Sequence, residues 1–181
     1  MAKTAYDHQD KAINAIFYYF EKETGNPVIS APVGAGKSLI MAEFMRRCWD
    51  LFPETKFLSA AHVTELLVQN NNELLGQKPN SKSSFYSAKL GKKDLTGDVI
   101  FASIASIYKK AFKIPHAIDI LLIDECHTLS PKDGTMYQKL IADLKLINPK
   151  LKVVGFTGTP FRPDSGKITE GDGAIFTDIA Y

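Results

Sequence analysis

The chain has 181 residues, of which 45% are hydrophobic and 23% are charged, and its formal net charge is +2. These values are typical of a soluble globular protein of about one domain. Its two cysteines, Cys48 and Cys126, lie far apart and are expected to be free thiols. No apolar run approaches the roughly 20 residues of a membrane span, and Met1–Gln9 lacks the apolar core of a signal peptide. We therefore expect a cytoplasmic protein without a membrane partner.

Short apolar segments alternate with longer segments of helical spacing along the chain. Strands are predicted at Pro27–Ala31, Lys56–Ala61, Ser84–Ala88, Asp98–Ser103, Ile118–Asp124 and Lys152–Thr157. Helices are predicted at Asp10–Phe20, Ser38–Leu51, Thr64–Leu75 and Tyr137–Ile147. This alternation predicts an α/β fold, in which a parallel sheet carries helices on both faces. Residues 161–181 are rich in Gly and Asp, so we expect one domain over residues 1–160 and a linker or hairpin after it.

The first predicted strand leads into a glycine-containing loop that is followed directly by a helix. This loop, Ala31–Ser38, reads Ala-Pro-Val-Gly-Ala-Gly-Lys-Ser. Gly34 and Gly36 let the backbone approach phosphate oxygens, and the helix start favours an anion. The spacing predicts that Lys37 reaches the β- and γ-phosphates and that the Ser38 hydroxyl ligates Mg²⁺. The first glycine of the general pattern is an alanine here, so an ordinary glycine turn before a helix is the alternative.

Positive charge is concentrated in one segment of the chain. Residues 78–113 contain eight Lys and two Asp, an excess of six positive charges, whereas the segments on either side each carry a net negative charge. A segment of this kind is suited to contacts with an acidic partner. A solvated lysine-rich surface is the alternative.

An acidic box ends the apolar run Ile118–Ile123, in the order Asp124-Glu-Cys-His127. Two adjacent carboxylates at the end of a buried strand are costly unless a counter-ion compensates them. We expect Asp124 to hold Mg²⁺, and Glu125 to polarise the water that attacks the γ-phosphate. Zinc binding by Cys126 and His127 is the alternative, and it is disfavoured because no second Cys/His pair at ligand spacing occurs.

The last predicted strand, Lys152–Thr157, ends in the sequence Thr-Gly-Thr-Pro, which runs to Pro160. Thr157 and Thr159 are small hydroxyl residues at the edge where ligands of such sheets bind. They are suited to sensing the γ-phosphate and relaying its state. An ordinary turn is the alternative.

In this order, the motifs resemble those of superfamily 2 helicases with an Asp-Glu-x-His box. The resemblance covers Tyr6–Gln9 (the adenine-reading glutamine motif), Ala31–Ser38 (motif I), Ala60–Asn70 (motif Ia), Phe101–Ser106 (motif Ic), Asp124–His127 (motif II) and Thr157–Pro160 (motif III). The form Ala-Pro-x-Gly-x-Gly-Lys is usual in this family. Within the superfamily, the strings His62–Asn70 and Gly155–Arg162 are most similar to RadD-type bacterial repair helicases. Restriction-enzyme motor subunits and phage helicases are further relatives.

The resemblance implies the RecA-like, ATP-binding motor domain of a DNA helicase or translocase, which couples hydrolysis of Mg-ATP to movement. It implies catalytic roles for Lys37, Asp124, Glu125 and His127, metal ligation by Ser38 and Asp124, and coupling by Thr157 and Thr159. The nucleotide is expected to contact Tyr6, Gln9, Pro32, Val33, Gly34, Ala35, Gly36, Lys37, Ser38 and Leu39. Gln9 is expected to read the adenine edge, because its amide can both donate and accept.

Nucleic acid is the partner that the resemblance implies. The predicted contacts are His62, Val63, Thr64, Lys89, Lys92, Lys93, Ser103 and Ser106. The residues alone do not separate DNA from RNA, and the choice of DNA rests on the resemblance. Family members carry a second RecA-like domain with an arginine finger, which is expected in cis. The 181 residues by themselves are therefore expected to hydrolyse ATP slowly or not at all, and no zinc is expected.

The phosphate loop has two alternative interpretations. A GTPase should carry an Asn-Lys-x-Asp motif and an ABC transporter ATPase a Leu-Ser-Gly-Gly signature, and the chain contains neither. A non-catalytic RecA-like module that binds nucleic acid or a partner protein is the alternative of another kind. Lys37, Asp124 and Glu125 are all present, which favours the catalytic reading.

Overall fold

A computed structural model of the chain describes residues 5–32, 34–128, 131–162, 166–170 and 174–181. The strands are β1 (Pro27–Ser30), β2 (Phe57–Ala61), β3 (Ser83–Ser87), β4 (Lys92–Lys93), β5 (Val99–Ser103), β6 (Ile120–Ile123), β7 (Lys152–Thr157), β8 (Phe161–Arg162), β9 (Gly166–Lys167) and β10 (Asp178–Ile179). The α-helices are α1 (Asp7–Lys22), α2 (Lys37–Leu51), α3 (Thr64–Gln77), α4 (Ile104–Ile107) and α5 (Pro131–Ile147).

Eight of these strands form one sheet, in the order β10-β1-β7-β6-β2-β5-β3-β4. All neighbours are parallel except β3 and β4, which pair antiparallel at one edge. Strands β8 and β9 form a separate antiparallel pair. The predicted α/β fold with a mainly parallel sheet is confirmed. Parallel neighbours need crossover connections, and the helices between the strands supply them.

The two faces of the sheet are covered by different helices. Successive strand residues point to opposite faces, so that Val28 belongs to one hydrophobic core and Ile29 to the other. The core with Ile29 is filled by α1, α2 and α3, and the core with Val28 is filled by α4 and α5. Strands buried on both faces explain the apolar run of β6, Ile120–Ile123, in which no polar residue alternates.

Two helices begin earlier in the structure than the sequence pattern predicts. Helix α1 begins at Asp7, three residues early, and Gln9 Oε1 accepts a hydrogen bond from the Tyr6 backbone N–H at its start. Helix α5 begins at Pro131 rather than Tyr137, because proline is well tolerated in a first helical turn. The segment Lys89–Lys93, which follows the predicted strand Ser84–Ala88 and lies outside every predicted strand and helix, contains β4.

Residues 174–181 lie against the β1 side of the sheet. Strand β10 pairs with β1, and the Phe176 ring is buried at 1% exposure. A Cβ atom on Gly155 would lie 2.5 Å from that ring, so the ring packs directly on the β7 backbone. The domain boundary at residue 160 stays a prediction. In the described part of the chain, no helix combines the length and apolar character needed to cross a membrane.

Candidate functional site

The carboxyl ends of the parallel strands meet along one edge of the sheet, and the predicted site segments follow these ends. The segments after β1, β7 and β6, here called the nucleotide half, contain residues 31–39, 157–159 and 124–127. The segments after β2, β5 and β3, here called the strand half, contain residues 62–64, 103–106 and 88–93. Because β6 and β2 are hydrogen-bonded neighbours, the two halves adjoin.

The phosphate loop adopts a backbone that favours glycine. Gly34 has φ +87° and Gly36 has φ +80°, in the left-handed region that side chains disfavour. The Ala35 N–H donates to the Pro32 carbonyl at 3.0 Å, and Gly36 is the N-cap of α2. The start of this 15-residue helix therefore faces the loop, as an anion site requires. Val33, a predicted nucleotide contact, lies outside the described residues.

Gln9, on α1, forms a hydrogen bond with the phosphate loop. Its side chain is buried at 3% exposure, and its Nε2 donates to the Ala35 carbonyl at 2.9 Å. A Cβ atom on Gly36 would lie 2.5 Å from this Nε2, so the bridge requires glycine at that position. A glutamine amide has two N–H groups, and the bond to Ala35 uses one of them. Its contact with adenine stays a prediction.

Tyr6 and His8 lie beside this bridge. The Tyr6 ring is 70% exposed and stacks on the His8 ring, with centroids 6.0 Å apart and planes within 8°. His8 Nε2 lies 3.2 Å from the Ala35 carbonyl oxygen. No role for His8 is predicted from the sequence, since nothing in its spacing signals this contact. Leu39, a predicted nucleotide contact, is 8% exposed, which leaves little of its side chain for a ligand.

Lys37 and the acidic box come together at the centre of the nucleotide half. Lys37 Nζ lies 3.2 Å from Glu125 Oε1, and the two side chains are 11% and 25% exposed. Asp124 is 3% exposed, and its Oδ1 accepts from the Glu125 backbone N–H at 2.9 Å. Glu125 has φ +49°, a strained conformation for a non-glycine residue that concentrates at functional sites.

The buried carboxylate of Asp124 suits a cation. Burial raises its pKa above the ordinary aspartate value, and the neighbouring charge of Glu125 adds to this, while a hydrogen bond from Asn70 opposes it. Among the described residues, none forms an ion pair with Asp124. A magnesium ion takes oxygen ligands, and the Asp124 carboxylate and the Ser38 hydroxyl are oxygen donors. The donor set therefore fits this metal.

Helix α3 contacts both of these donors. Gln69 Nε2 donates to Ser38 Oγ at 3.1 Å, and Asn70 Nδ2 donates to Asp124 Oδ2 at 2.9 Å. Gln69 and Asn70 belong to the motif Ia string, but the sequence predicts no individual role for either residue. The partners lie 31 and 54 residues away along the chain, so only the folded arrangement reveals the contacts.

His127 and Thr157 connect the acidic box to β7. His127 Nδ1 lies 2.7 Å from Thr157 Oγ1 and 3.3 Å from Glu125 Oε2. The fully buried Thr157 hydroxyl also donates to the Thr159 carbonyl at 2.8 Å. A continuous set of polar contacts thus runs from Lys37 through Glu125 and His127 to Thr157. The two threonines predicted to couple lie at its end.

A cavity of about 370 Å³ opens where the two halves adjoin. It is lined by His62, Val63, Leu66, Glu125, His127, Gly158 and Thr159. Residues from both halves line it, so a group bound there would contact Glu125 and the start of α3 together.

The residues predicted after β2 differ in how much surface they offer. Val63 is 48% exposed, whereas Thr64, the first residue of α3, is only 5% exposed. The His62 ring packs edge-on against the Tyr137 ring, with centroids 5.6 Å apart. The Val63 side chain is therefore the part of this segment that faces outward.

The remaining predicted contacts of the strand half lie after β3 and β5. Lys92 and Lys93 are exposed on β4, whereas Lys89 Nζ lies 2.9 Å from Glu65 Oε1. Ser103 Oγ donates to Ser106 Oγ at 2.9 Å. The Ser106 hydroxyl in turn accepts from the Ala88 N–H at 3.1 Å, so the serines tie the end of β5 to the segment after β3.

The chain matches one protein family and several solved structures. The family model described as type III restriction enzyme, res subunit, matches residues 2–162. The UvsW helicase from bacteriophage T4 is 19% identical with a TM-score of 0.71, and the match covers 98% of this chain and 60% of that one. No match was found among curated protein sequences.

Two further solved structures resemble the fold over almost the whole chain. The Sulfolobus solfataricus SWI2/SNF2 ATPase core in complex with dsDNA is 16% identical with a TM-score of 0.67, covering 97% of this chain and 35% of that one. The type ISP restriction-modification enzyme LlaGI, in complex with a DNA substrate mimic, is 14% identical with a TM-score of 0.67, covering 99% and 20%. The chain thus spans 60% or less of each solved relative named here.

Proposed function

Since the chain belongs to the family of the type III restriction enzyme res subunit, a family of helicase-type motors, we propose that it is the ATP-binding domain of a DNA helicase or translocase. The observation that carries the proposal is the convergence of a glycine loop, Lys37, Glu125 and the buried Asp124 at one sheet edge. The motor couples hydrolysis of Mg-ATP to movement along the nucleic acid.

The phosphates bind in the loop before α2. Backbone N–H groups of residues 34–38 and the start of α2 attract the anion, and Lys37 contacts the β- and γ-phosphates. On binding, Lys37 exchanges its contact with Glu125 for one with phosphate. Tyr6 and Gln9 lie beside the loop, where they flank and read the adenine.

Ser38 and Asp124 hold Mg²⁺ in this proposal. A Mg²⁺ ion held there would supply positive charge to the β- and γ-phosphates. Glu125, released from Lys37, orients and polarises the attacking water. His127 lies between Glu125 and Thr157, so a change at the γ-phosphate alters contacts that end at Thr157 and Thr159.

The nucleic acid lies across the strand half. The solved relatives that hold dsDNA or a DNA substrate mimic support DNA as the partner, while the residues themselves carry no feature that selects DNA over RNA. Phosphates meet the start of α3, the serine-linked segment at Ser103 and Ser106, and the exposed Lys92 and Lys93. Backbone contacts of this kind carry no sequence information, which suits movement along any sequence.

ATP hydrolysis by the motor requires a further domain in this proposal. The named solved relatives are all considerably longer than the match, and we propose that a second RecA-like domain in cis supplies an arginine to the transition state. Such a residue raises phosphoryl-transfer rates by about 10³–10⁵. We propose that the motor domain covers residues 1–160 and that residues 161–181 lead toward the second domain.

Calorimetric titration of Mg-ADP tests the nucleotide site. The 181-residue chain should bind Mg-ADP, and Lys37→Ala should weaken binding by about 10–100-fold, because hydrogen bonds to charged groups are worth about 1.5–3 kcal/mol. Lys139→Ala, an exposed lysine on α5, is the matched control and should bind like the wild type. Equal affinity in the wild type and Lys37→Ala would contradict the proposal.

A further inference from the structure

Two adjacent residues of α3 each hold one of the proposed metal ligands. Gln69 donates to the Ser38 hydroxyl at 3.1 Å, and Asn70 donates to the Asp124 carboxylate at 2.9 Å. Ser38 lies in the first turn of α2, whereas Asp124 follows β6. These two ligands come from separate elements, and α3 contacts both.

Burial of the Asn70 amide lowers the stability of the fold unless hydrogen bonds compensate for the lost contacts with water. Asn70 is 1% exposed, and its carbonyl oxygen Oδ1 has no hydrogen-bond partner within the described residues. Buried polar atoms of this kind are rare in folded proteins. A leucine of similar volume would fill the space without an unpaired polar atom. Asn71 Oδ1 is likewise unpartnered in the described residues, so the hydrogen bond with Asp124 is what distinguishes Asn70 from a packing residue.

The contacts fix the Asp124 carboxylate in one orientation. Asn70 Nδ2 donates to Oδ2, and the Glu125 backbone N–H donates to Oδ1. A carboxylate oxygen accepts more than one contact, so each oxygen keeps the capacity to face a cation. The same holds for the Ser38 hydroxyl, which accepts from Gln69 and has a second lone pair.

We propose that Asn70 and Gln69 are positioning residues, which orient Asp124 and Ser38 for Mg²⁺. This inference rests on the proposed nucleotide site. Residues that orient metal ligands typically affect metal affinity by 10–100-fold. The unpaired Oδ1 of Asn70 is suited to accept from a hydration water of the ion, since Mg²⁺ keeps several waters in protein sites.

Nucleotide affinity measured with and without the metal separates positioning from packing. ADP is titrated into the 181-residue chain in excess Mg²⁺ and in EDTA, and the gain in affinity due to Mg²⁺ is the readout. Asn70→Ala should reduce this gain about tenfold or more and leave the affinity in EDTA unchanged. Gln69→Ala should reduce it less, because Gln69 is exposed and its bond with Ser38 competes with water.

Two neighbouring asparagines provide matched controls. Asn71 is buried on the same helix at 7% exposure, and Asn72 is exposed like Gln69. Neither makes a hydrogen bond with Ser38 or Asp124. Asn71→Ala and Asn72→Ala should keep the full Mg²⁺-dependent gain.

The outcomes distinguish this inference from the proposed function. If the wild-type chain shows no Mg²⁺-dependent gain, the proposed nucleotide site fails and the inference fails with it. If the wild type, Asn70→Ala and Gln69→Ala show equal gains, only the inference is overturned. An affinity loss in EDTA as large as the loss in Mg²⁺ also overturns it, because a packing defect would then be the cause. The exposed Gln69→Ala variant keeps the test decisive should Asn70→Ala fail to fold.

Discussion

Lys37 Nζ lies 3.2 Å from Glu125 Oε1, and both side chains are largely shielded from solvent. Lys37, which we propose to bind the phosphates, thus forms an ion pair with Glu125, which we propose to orient the attacking water. We expect nucleotide binding at the proposed site to weaken this contact, because a phosphate would compete with Glu125 for the Lys37 ammonium group. The free energy of the ion pair would then oppose nucleotide binding.

Glu125→Gln is expected to strengthen Mg-ADP binding by roughly fivefold. The change removes the carboxylate that competes for Lys37, and a partly exposed ion pair of this kind is worth up to about 1 kcal/mol. Calorimetry on the wild type and the variant measures the difference. Glu170→Gln, a change of the same type beyond β9, is the control. Weaker binding by Glu125→Gln would show that Glu125 supports the nucleotide and does not compete with it.

Gly36→Ala is expected to destabilise the chain by about 1 kcal/mol more than Gly34→Ala. Both positions have positive φ, and each alanine therefore costs about 1–2 kcal/mol. Only at Gly36 would the Cβ also meet Gln9 Nε2, at 2.5 Å, which breaks the hydrogen bond with Ala35. Urea denaturation gives both free energies of unfolding. In a Gln9→Ala background the two glycine variants should cost the same, and a persistent difference there would contradict the clash.

Phe176→Ala is expected to lower the free energy of unfolding by about 3–5 kcal/mol. The ring is 1% exposed and lies directly on Gly155 of β7, so its loss leaves a cavity in the core. Phe112→Ala is the control, because Phe112 is 66% exposed. If both variants cost the same small amount, residues 174–181 would be a loosely held linker. A large cost for Phe176→Ala would place them in the folded domain.

Glu43→Gln is expected to destabilise the chain by about 1–2 kcal/mol at neutral pH, and less in acid. Burial raises the Glu43 pKa, but hydrogen bonds from Arg46 and Arg47 outweigh it, so the pKa is lowered overall. A carboxyl with a lowered folded pKa contributes stability above its unfolded pKa, about 4.3, and loses it as pH falls through the folded value. Urea unfolding at pH 7 and below pH 4 tests this. A difference that stays constant or grows as pH falls would contradict it.

Changing Lys92 and Lys93 together to Glu is expected to weaken binding of a single-stranded oligonucleotide and to flatten its salt dependence. Each lost phosphate contact lowers the slope of log affinity against log salt by about 0.7. Lys89 is left unchanged, because a change to Glu there would also place a second carboxylate beside Glu65. Fluorescence anisotropy across a salt series measures both quantities.

The control for this charge change lies elsewhere on the surface. Lys145 and Lys150 are exposed near the end of α5 and before β7, away from the carboxyl ends of the strands. The same double change to Glu there should leave the salt slope nearly unchanged. If both double variants behave alike, the lysines of β4 act only through net charge.

The fold was predictable because its signals are local. Apolar periodicity and the loop before α2 give the α/β class, and the resemblance to helicases of restriction-enzyme and phage type is confirmed by the family match over residues 2–162. The contacts that shape the site are not local. Gln9 reaches Ala35 across 26 residues and Asn70 reaches Asp124 across 54. No periodicity signals such pairs, since they depend on how α1 and α3 pack.

Short elements were missed for a different reason. Strand β4 has two residues, Lys92 and Lys93, and β10 also has two. A two-residue strand has no measurable period, and its existence depends on the free edge of a neighbouring strand. Lysines also disfavour a strand by propensity. Strands β4 and β10 therefore form because β3 and β1 offer backbone hydrogen-bonding groups to them, and not because their own residues favour a strand.

The strand order has a practical consequence for dissecting this protein. Along the chain, all three segments of the strand half, residues 62–64, 88–93 and 103–106, lie between residues 31–39 and 124–127 of the nucleotide half. In space, however, each half is contiguous. A deletion that removes residues 57–103 would take away β2, β3, β4 and β5, which belong to the same sheet as the proposed nucleotide site. Point substitutions are therefore better suited than truncation to separating the proposed nucleotide contacts from the proposed nucleic-acid contacts.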